Sequence, residues 1–144
     1  MVSKKIYIHI GMPRAGSTFL QENIFPQIAT KDFYSQPQKL KDKVIPSFIR
    51  KLWVKGFFSK EDIEKFREEF WSTIDEIEQD NILISQEGLA GYDFQTGRHN
   101  LKPLMRALKE VIPKATIILV LREQSSWLKS LYYLAIQGGY YTSY

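Results

Sequence analysis

Two clusters in this chain combine residue types that can hold anions. The first is Gly11-Met12-Pro13-Arg14-Ala15-Gly16-Ser17-Thr18. Its glycines carry the Walker A spacing G-x-x-x-x-G, with Ser17 where lysine usually stands and Thr18 after it. Glycines at both ends let the main chain curl, so that the N–H groups of Gly16, Ser17 and Thr18 face one point. A helix opening there would add the positive end of its dipole. Arg14 supplies a cation from inside the loop. The frame predicts phosphate binding by Arg14 and the N–H groups of Gly16, Ser17 and Thr18. The plainer alternative is a Gly-rich strand-to-helix turn with an exposed arginine. His9, beside the loop, is expected to be a strand histidine whose ring is satisfied.

The second cluster is Arg122 with Ser130. A nucleoside-triphosphate hydrolase needs an acidic residue at the end of a neighbouring strand to hold Mg²⁺. Here the apolar run Thr116 to Leu121 ends in Arg122, and Glu123 follows, so a metal carboxylate stays open. A cation at a strand's carboxyl end beside a phosphate loop better suits a second anionic group bound directly. Ser130 falls in the second turn of a helix starting near Gln124, which would carry its hydroxyl toward the same anion. Taken singly, Arg122 reads equally well as a salt-bridge partner and Ser130 as a polar residue on a helix face.

Three β-branched runs must position these clusters: Lys5–Ile10, Asn81–Ser85 and Thr116–Leu121. The first alternates, and the third is continuously apolar, as a strand buried on both faces would be. Helical spacing separates them. Ser59 is placed to cap a helix with Glu61 and Asp62 in its first turn and an apolar stripe of Ile63, Phe66, Phe70, Ile74 and Ile77. Leu40, Val44, Phe48, Ile49 and Leu52 predict another helix, with Pro46 in a first turn or at a kink. Leu101 to Val111 and Trp127 to Leu134 predict two more. A helix after Gly16, carrying Phe19, Leu20 and Ile24, is broken by Pro26. Trp53, Phe57 and Phe58 are expected in the core. Strands alternating with helices predict an α/β fold, three layers around a central parallel sheet.

Composition narrows the function classes. With 144 residues, 44% of them hydrophobic and 14% aromatic, the chain has apolar surface enough for one globular unit over 1–144, which excludes disorder as its main state. No apolar run approaches the roughly 20 residues of a membrane span, and the apolar stretch near the N-terminus is too short for a signal peptide. A cytoplasmic location is therefore expected. The absence of cysteine removes disulfides, thiolate metal sites and cysteine nucleophiles. The net charge of +4 comes from scattered Lys and Arg, with no basic arm that would follow a nucleic acid, so any anion binding must be local.

Pro13-Arg14-Ala15-Gly16-Ser17-Thr18 resembles the 5′-phosphosulfate loop of the sulfotransferases, P-K-x-G-[ST]-[ST]. Arg122 with Ser130 resembles the 3′-phosphate motif of the same family, an arginine at a strand end and a serine in the helix after it. The order and the elements agree as well. The resemblance implies a P-loop NTPase-like fold and 3′-phosphoadenosine 5′-phosphosulfate (PAPS) as donor, with adenosine 3′,5′-bisphosphate as product. It implies transfer of a sulfuryl group to an acceptor hydroxyl without a metal. A carbohydrate acceptor is suggested by likeness to the bacterial branch in Arg122-Glu123-Gln124 and Ser130-Leu131-Tyr132. Two departures stand out. Arg14 replaces the family's loop lysine, keeping the charge on a wider, planar donor. The family's later Gly- and basic-rich loop has no counterpart after Ser130, so the chain is expected to be the N-terminal portion of a larger domain.

Sulfuryl transfer needs charge stabilisation at the departing nucleotide, an acceptor in line with sulfur, and a base. Arg14 would serve the first need. Glu87, just past the second strand, is the first choice of base and His99 the second. Glu87 reads equally well as a turn-capping carboxylate, and His99 as the start of the next helix. Two other readings stay open: a nucleotide-binding module without turnover, and a P-loop kinase relative using Mg²⁺.

Overall fold

The structure, a computed structural model, describes residues 4–11, 14–37, 39–90 and 101–139. Four strands, β1 (Lys5–Gly11), β2 (Phe33–Ser35), β3 (Asn81–Ser85) and β4 (Thr116–Val120), form one sheet in the order β2-β3-β1-β4. All its pairings are parallel, with His9 opposite Ser85 on one side of β1 and opposite Ile118 on the other. Helices flank this sheet, an α/β arrangement compatible with three layers. The short strand β2 was not foreseen. Its three residues are too few for a period-2 pattern to register.

The helices follow their local signals. Helix α1 (Ser17–Phe19) passes at once into a wide π-turn, Leu20–Ile24. A second π-turn, Leu40–Val44, leads into α2 (Ile45–Lys55), with Pro46 tolerated in its first turn. Helix α3 (Lys60–Asp75) begins in a capping box: Ser59 Oγ accepts from Asp62 N, and the Asp62 carboxylate accepts from Ser59 N. Lys51 and Lys55 also reach Asp62. The Ser59 hydroxyl, then these two lysines, hold the Asp62 carboxyl well below the usual carboxylate range. Helices α4 (Leu101–Val111) and α5 (Gln124–Gln137) complete the chain. No described helix is long and apolar enough to cross a membrane.

Strand alternation divides the side chains. Ile6, Ile8 and Ile10 of β1 and Ile82 and Ile84 of β3 join Phe48, Leu52, Phe66, Phe70, Ile74, Leu104 and Leu108 in the core. On the opposite face, Tyr7 meets Phe33 with ring centroids 5.9 Å apart, and His9 meets Phe25 edge-on at 5.2 Å. Phe58 stacks on Phe48, as a core residue should, but Phe57 is 60% exposed. Phe57 stands in the turn between α2 and α3, where no element covers it. The Trp53 side chain lies outside the description.

The expected burial of β4 is corrected as well. Strand β4 is not buried on both faces, since Ile117, Ile118 and Leu119 are 44%, 37% and 52% exposed. Among the described residues it is the sheet edge, paired with β1 alone, and α5 has no buried residue. In the first helix, Phe19 and Ile24 are exposed and Phe25 is buried. There the bond from Phe25 N to Leu20 O closes a turn of five residues, shifting the buried face one position along.

Candidate anion site at the carboxyl ends of the strands

Central strand β1 delivers the loop to the carboxyl edge of the sheet, flanked by β3 and β4. The chain leaving β1 rejoins the sheet at β2, while the chain leaving β3 crosses to β4 on the far side. Such a reversal opens a crevice at the strand ends. Within the loop, Arg14 and Gly16 have φ of 66° and 92°. Left-handed residues at both positions turn the chain sharply, the geometry in which successive N–H groups make an anion-binding concavity. Gly11 is required for a different reason. A methyl group added to it would stand 2.2 Å from Ser17 Oγ.

Side chains distant in sequence meet here. Register places Val120 of β4 beside Gly11, so Arg122 emerges next to the loop. Its Nη1 donates to the main-chain carbonyl of Arg14 at 3.0 Å and its Nε to Ser126 Oγ at 3.1 Å. Arg14 Nε donates to Ser130 Oγ at 2.9 Å. Arg14, Arg122 and Ser130 therefore converge. Ser130 is bonded to Arg14 and not to Arg122, whose hydroxyl partner is Ser126, one helical turn earlier. Arg14, Arg122 and Thr18 are exposed, Ala15 is partly covered, and Ser17 is buried. Pro13 and His99 lie outside the described residues.

Glu123 has a different role from the metal carboxylate left open above. It is the N-cap of α5, accepting from Ser125 N at 2.8 Å and Ser126 N at 2.7 Å. Those two N–H groups lower its pKa to about 2. The carboxylate thus fixes the turn that carries Ser126. Glutamate is an uncommon N-cap, so the spacing gave Glu123 no capping role and did not single out Ser126; an acidic residue just ahead of Ser125-Ser126 is the available signal. Among the described residues, no three His, Asp or Glu side chains cluster closely enough to hold a metal ion.

Glu87 opens the short helical turn Glu87–Ala90 after β3. Gln86 N donates to His9 O at 3.1 Å, which ties this turn to the end of β1. The Glu87 carboxylate is half-buried and makes no hydrogen bond or ion pair among the described residues. A cavity of about 190 Å³ lies against Arg122, lined also by Leu121, Gln124 and Trp127. A larger one, about 410 Å³, lies between the α2 and α3 segments and involves none of these loop residues.

Beneath the loop is a buried polar layer that spacing did not foretell. His9 Nδ1 is 2.7 Å from Ser85 Oγ, and Gln21 Nε2 donates to the same oxygen at 2.8 Å. The His9 ring is only half satisfied, contrary to expectation, because Nε2 has no partner among the described residues. Burial pushes the His9 pKa below its ordinary value. No family model matches the chain, and neither a curated protein nor a solved structure matches it.

Proposed function

We propose that the chain is a sulfotransferase, or the donor-binding part of one, that takes a sulfuryl group from PAPS and passes it to an acceptor hydroxyl, with a glycan as the acceptor class. The observation that carries this reading is the convergence of Arg14, Arg122 and Ser130 at the carboxyl edge of a parallel sheet. Two cations and two hydroxyls there suit a ligand with two separate anionic groups. Arg122 spends two N–H groups on Ser126 and on Arg14 O, leaving the remaining donors of its guanidinium for a phosphate. Ser130 Oγ accepts from Arg14 and keeps its own proton to donate. The central β1, the loop at its carboxyl end and the strand order support a P-loop-like arrangement.

In the transfer, the acceptor oxygen attacks sulfur and the bond from sulfur to the bridging oxygen breaks. The electron pair stays on the departing nucleotide phosphate, and the acceptor proton passes to a base. Arg14 and the loop N–H groups stabilise the charge on the leaving phosphate. Glu87, without a hydrogen bond or ion pair among the described residues and in the turn tied to the end of β1, is the candidate base.

Calorimetry with adenosine 3′,5′-bisphosphate and with ATP, each with and without Mg²⁺, tests the reading. Metal-independent binding of the bisphosphate is expected. Binding of ATP only with Mg²⁺ would favour a kinase-like protein instead. Transfer of radiolabelled sulfate to a glycan panel then separates an enzyme from a binding module without turnover.

A further inference from the structure

We propose that His9 is a positioning residue for the Ser17 hydroxyl: its Nε2–H is linked to Ser17 Oγ through one bridging water and turns the Ser17 proton toward the anion in the loop. This rests on the reading of the loop as a phosphate site. Both side chains are buried, His9 completely and Ser17 to 1% exposure. His9 Nε2 and Ser17 Oγ are both buried polar atoms without a partner among the described residues. Both residues border one glycine. A methyl group on Gly11 would lie 2.2 Å from Ser17 Oγ and 3.4 Å from His9 Cε1, the carbon bonded to Nε2. Leaving either polar atom unpaired would cost about 1–3 kcal/mol, so two such atoms bordering one glycine are best satisfied by a shared water.

The tautomer follows from the other ring nitrogen. Ser85 Oγ is buried and accepts from Gln21 Nε2. The remaining neighbour for the Ser85 proton is His9 Nδ1, at 2.7 Å. Nδ1 is therefore the acceptor and Nε2 carries the hydrogen. An Nε2–H donor to the bridging water leaves Ser17 Oγ acting as acceptor from that water, which frees the Ser17 proton to donate outward into the loop. Gln21 comes from the π-turn, Ser85 from β3 and His9 from β1, so three elements hold the ring in place. Phe25 closes the remaining side, edge-on to the imidazole.

Two measurements on the whole chain decide this. In the ligand-free protein, a long-range ¹H–¹⁵N spectrum of histidine-labelled material should show His9 protonated at Nε2. Ser17→Ala should move that resonance. An unmoved His9 signal, or a ring protonated at Nδ1, would overturn the proposal whatever the ligand. The second measurement titrates inorganic pyrophosphate and adenosine 3′,5′-bisphosphate into wild type, His9→Gln and His9→Asn. A glutamine amide reaches the position of Nε2, whereas an asparagine amide reaches only that of Nδ1. His9→Gln should bind like wild type and His9→Asn roughly tenfold more weakly. In a Ser17→Ala background the two should become equal. Equal affinities of His9→Gln and His9→Asn in the Ser17 protein would also overturn the proposal. If the wild type binds neither ligand, the phosphate-site reading falls, while the spectrum still decides the His9–Ser17 link.

Discussion

Arg122 Nη1 donates to the main-chain carbonyl of Arg14 at 3.0 Å, joining residues 108 positions apart. The bond stitches the end of the edge strand to the loop that leaves the central strand. It also brings two arginines to one strand edge, while the neighbouring Glu123 carboxylate is committed to the α5 N-terminus. Adjacent cations repel each other, and an anion between them relieves that repulsion.

Replacing Arg122 should separate the two ends of a bisphosphate. Arg122→Ala is expected to weaken adenosine 3′,5′-bisphosphate roughly ten- to a hundredfold, the range for a charge-assisted hydrogen bond, and to leave adenosine 5′-monophosphate nearly unchanged. Calorimetry on both nucleotides checks it. Equal losses would contradict the 3′-phosphate assignment.

Arg14 should behave differently. Arg14→Ala removes the cation shared by every 5′-phosphate ligand, so both nucleotides should lose roughly tenfold or more. Arg14→Gly should lose binding equally yet melt no lower than wild type, because φ of 66° suits glycine better than arginine. A thermal melt of the glycine variant alongside the titrations reads both effects.

Gly11→Ala tests the close approach under the loop. The new methyl group would stand 2.2 Å from Ser17 Oγ, so Ser17 or the strand end must shift. A loss of about 1–3 kcal/mol in stability is expected from urea unfolding, with anion binding abolished. Wild-type stability and binding together would mean that the loop is not packed as described.

The capping box before α3 sets a pH dependence. Ser59→Ala should cost about 1 kcal/mol. The Asp62 pKa is lowered by folding, so the carboxylate adds stability above the ordinary aspartate value of 3.8, and that stability is lost as pH falls below it. Unfolding midpoints compared between about pH 5 and about pH 3 should fall less steeply for Asp62→Asn than for wild type.

Two apolar strand residues should respond in opposite ways. Ile84 of β3 is fully buried, and Ile84→Ala is expected to cost about 2–5 kcal/mol. Leu119 of β4 is 52% exposed, and Leu119→Lys should change stability by less than about 1 kcal/mol while reducing self-association at the open edge. Urea unfolding measures the first, and light scattering at matched concentrations the second.

Much of this chain was legible before any coordinates, because the signals were local. A serine three residues ahead of an aspartate caps a helix by bonds within one turn, and Ser59 and Asp62 do so. The runs at Lys5, Asn81 and Thr116 are strands because β-branched side chains suit a pleated surface whatever lies beyond them. The spacing from Gly11 to Thr18 could likewise be read from type and order alone, but the serine bonded to Arg122 is Ser126 and not Ser130.

Other features depend on partners that no local window contains. Whether β4 is covered depends on what packs beside it, so Thr116 to Leu121 could not reveal an exposed edge. The five-residue turn from Leu20 to Phe25 sets Phe25 edge-on to His9, a contact between a helix and a strand that no local pattern contains. The convergence of Arg14, Arg122 and Ser130, and the partnering of His9 with Ser85 and Gln21, needed the parallel register that sets His9 opposite Ser85 and Gly11 opposite Val120. Sequence by itself determined which residues could hold an anion and which elements they stand on. The tertiary structure alone decided which of them meet, since hydrogen bonds act over about 3 Å and only strand pairing brings residues so far apart in the chain to that distance.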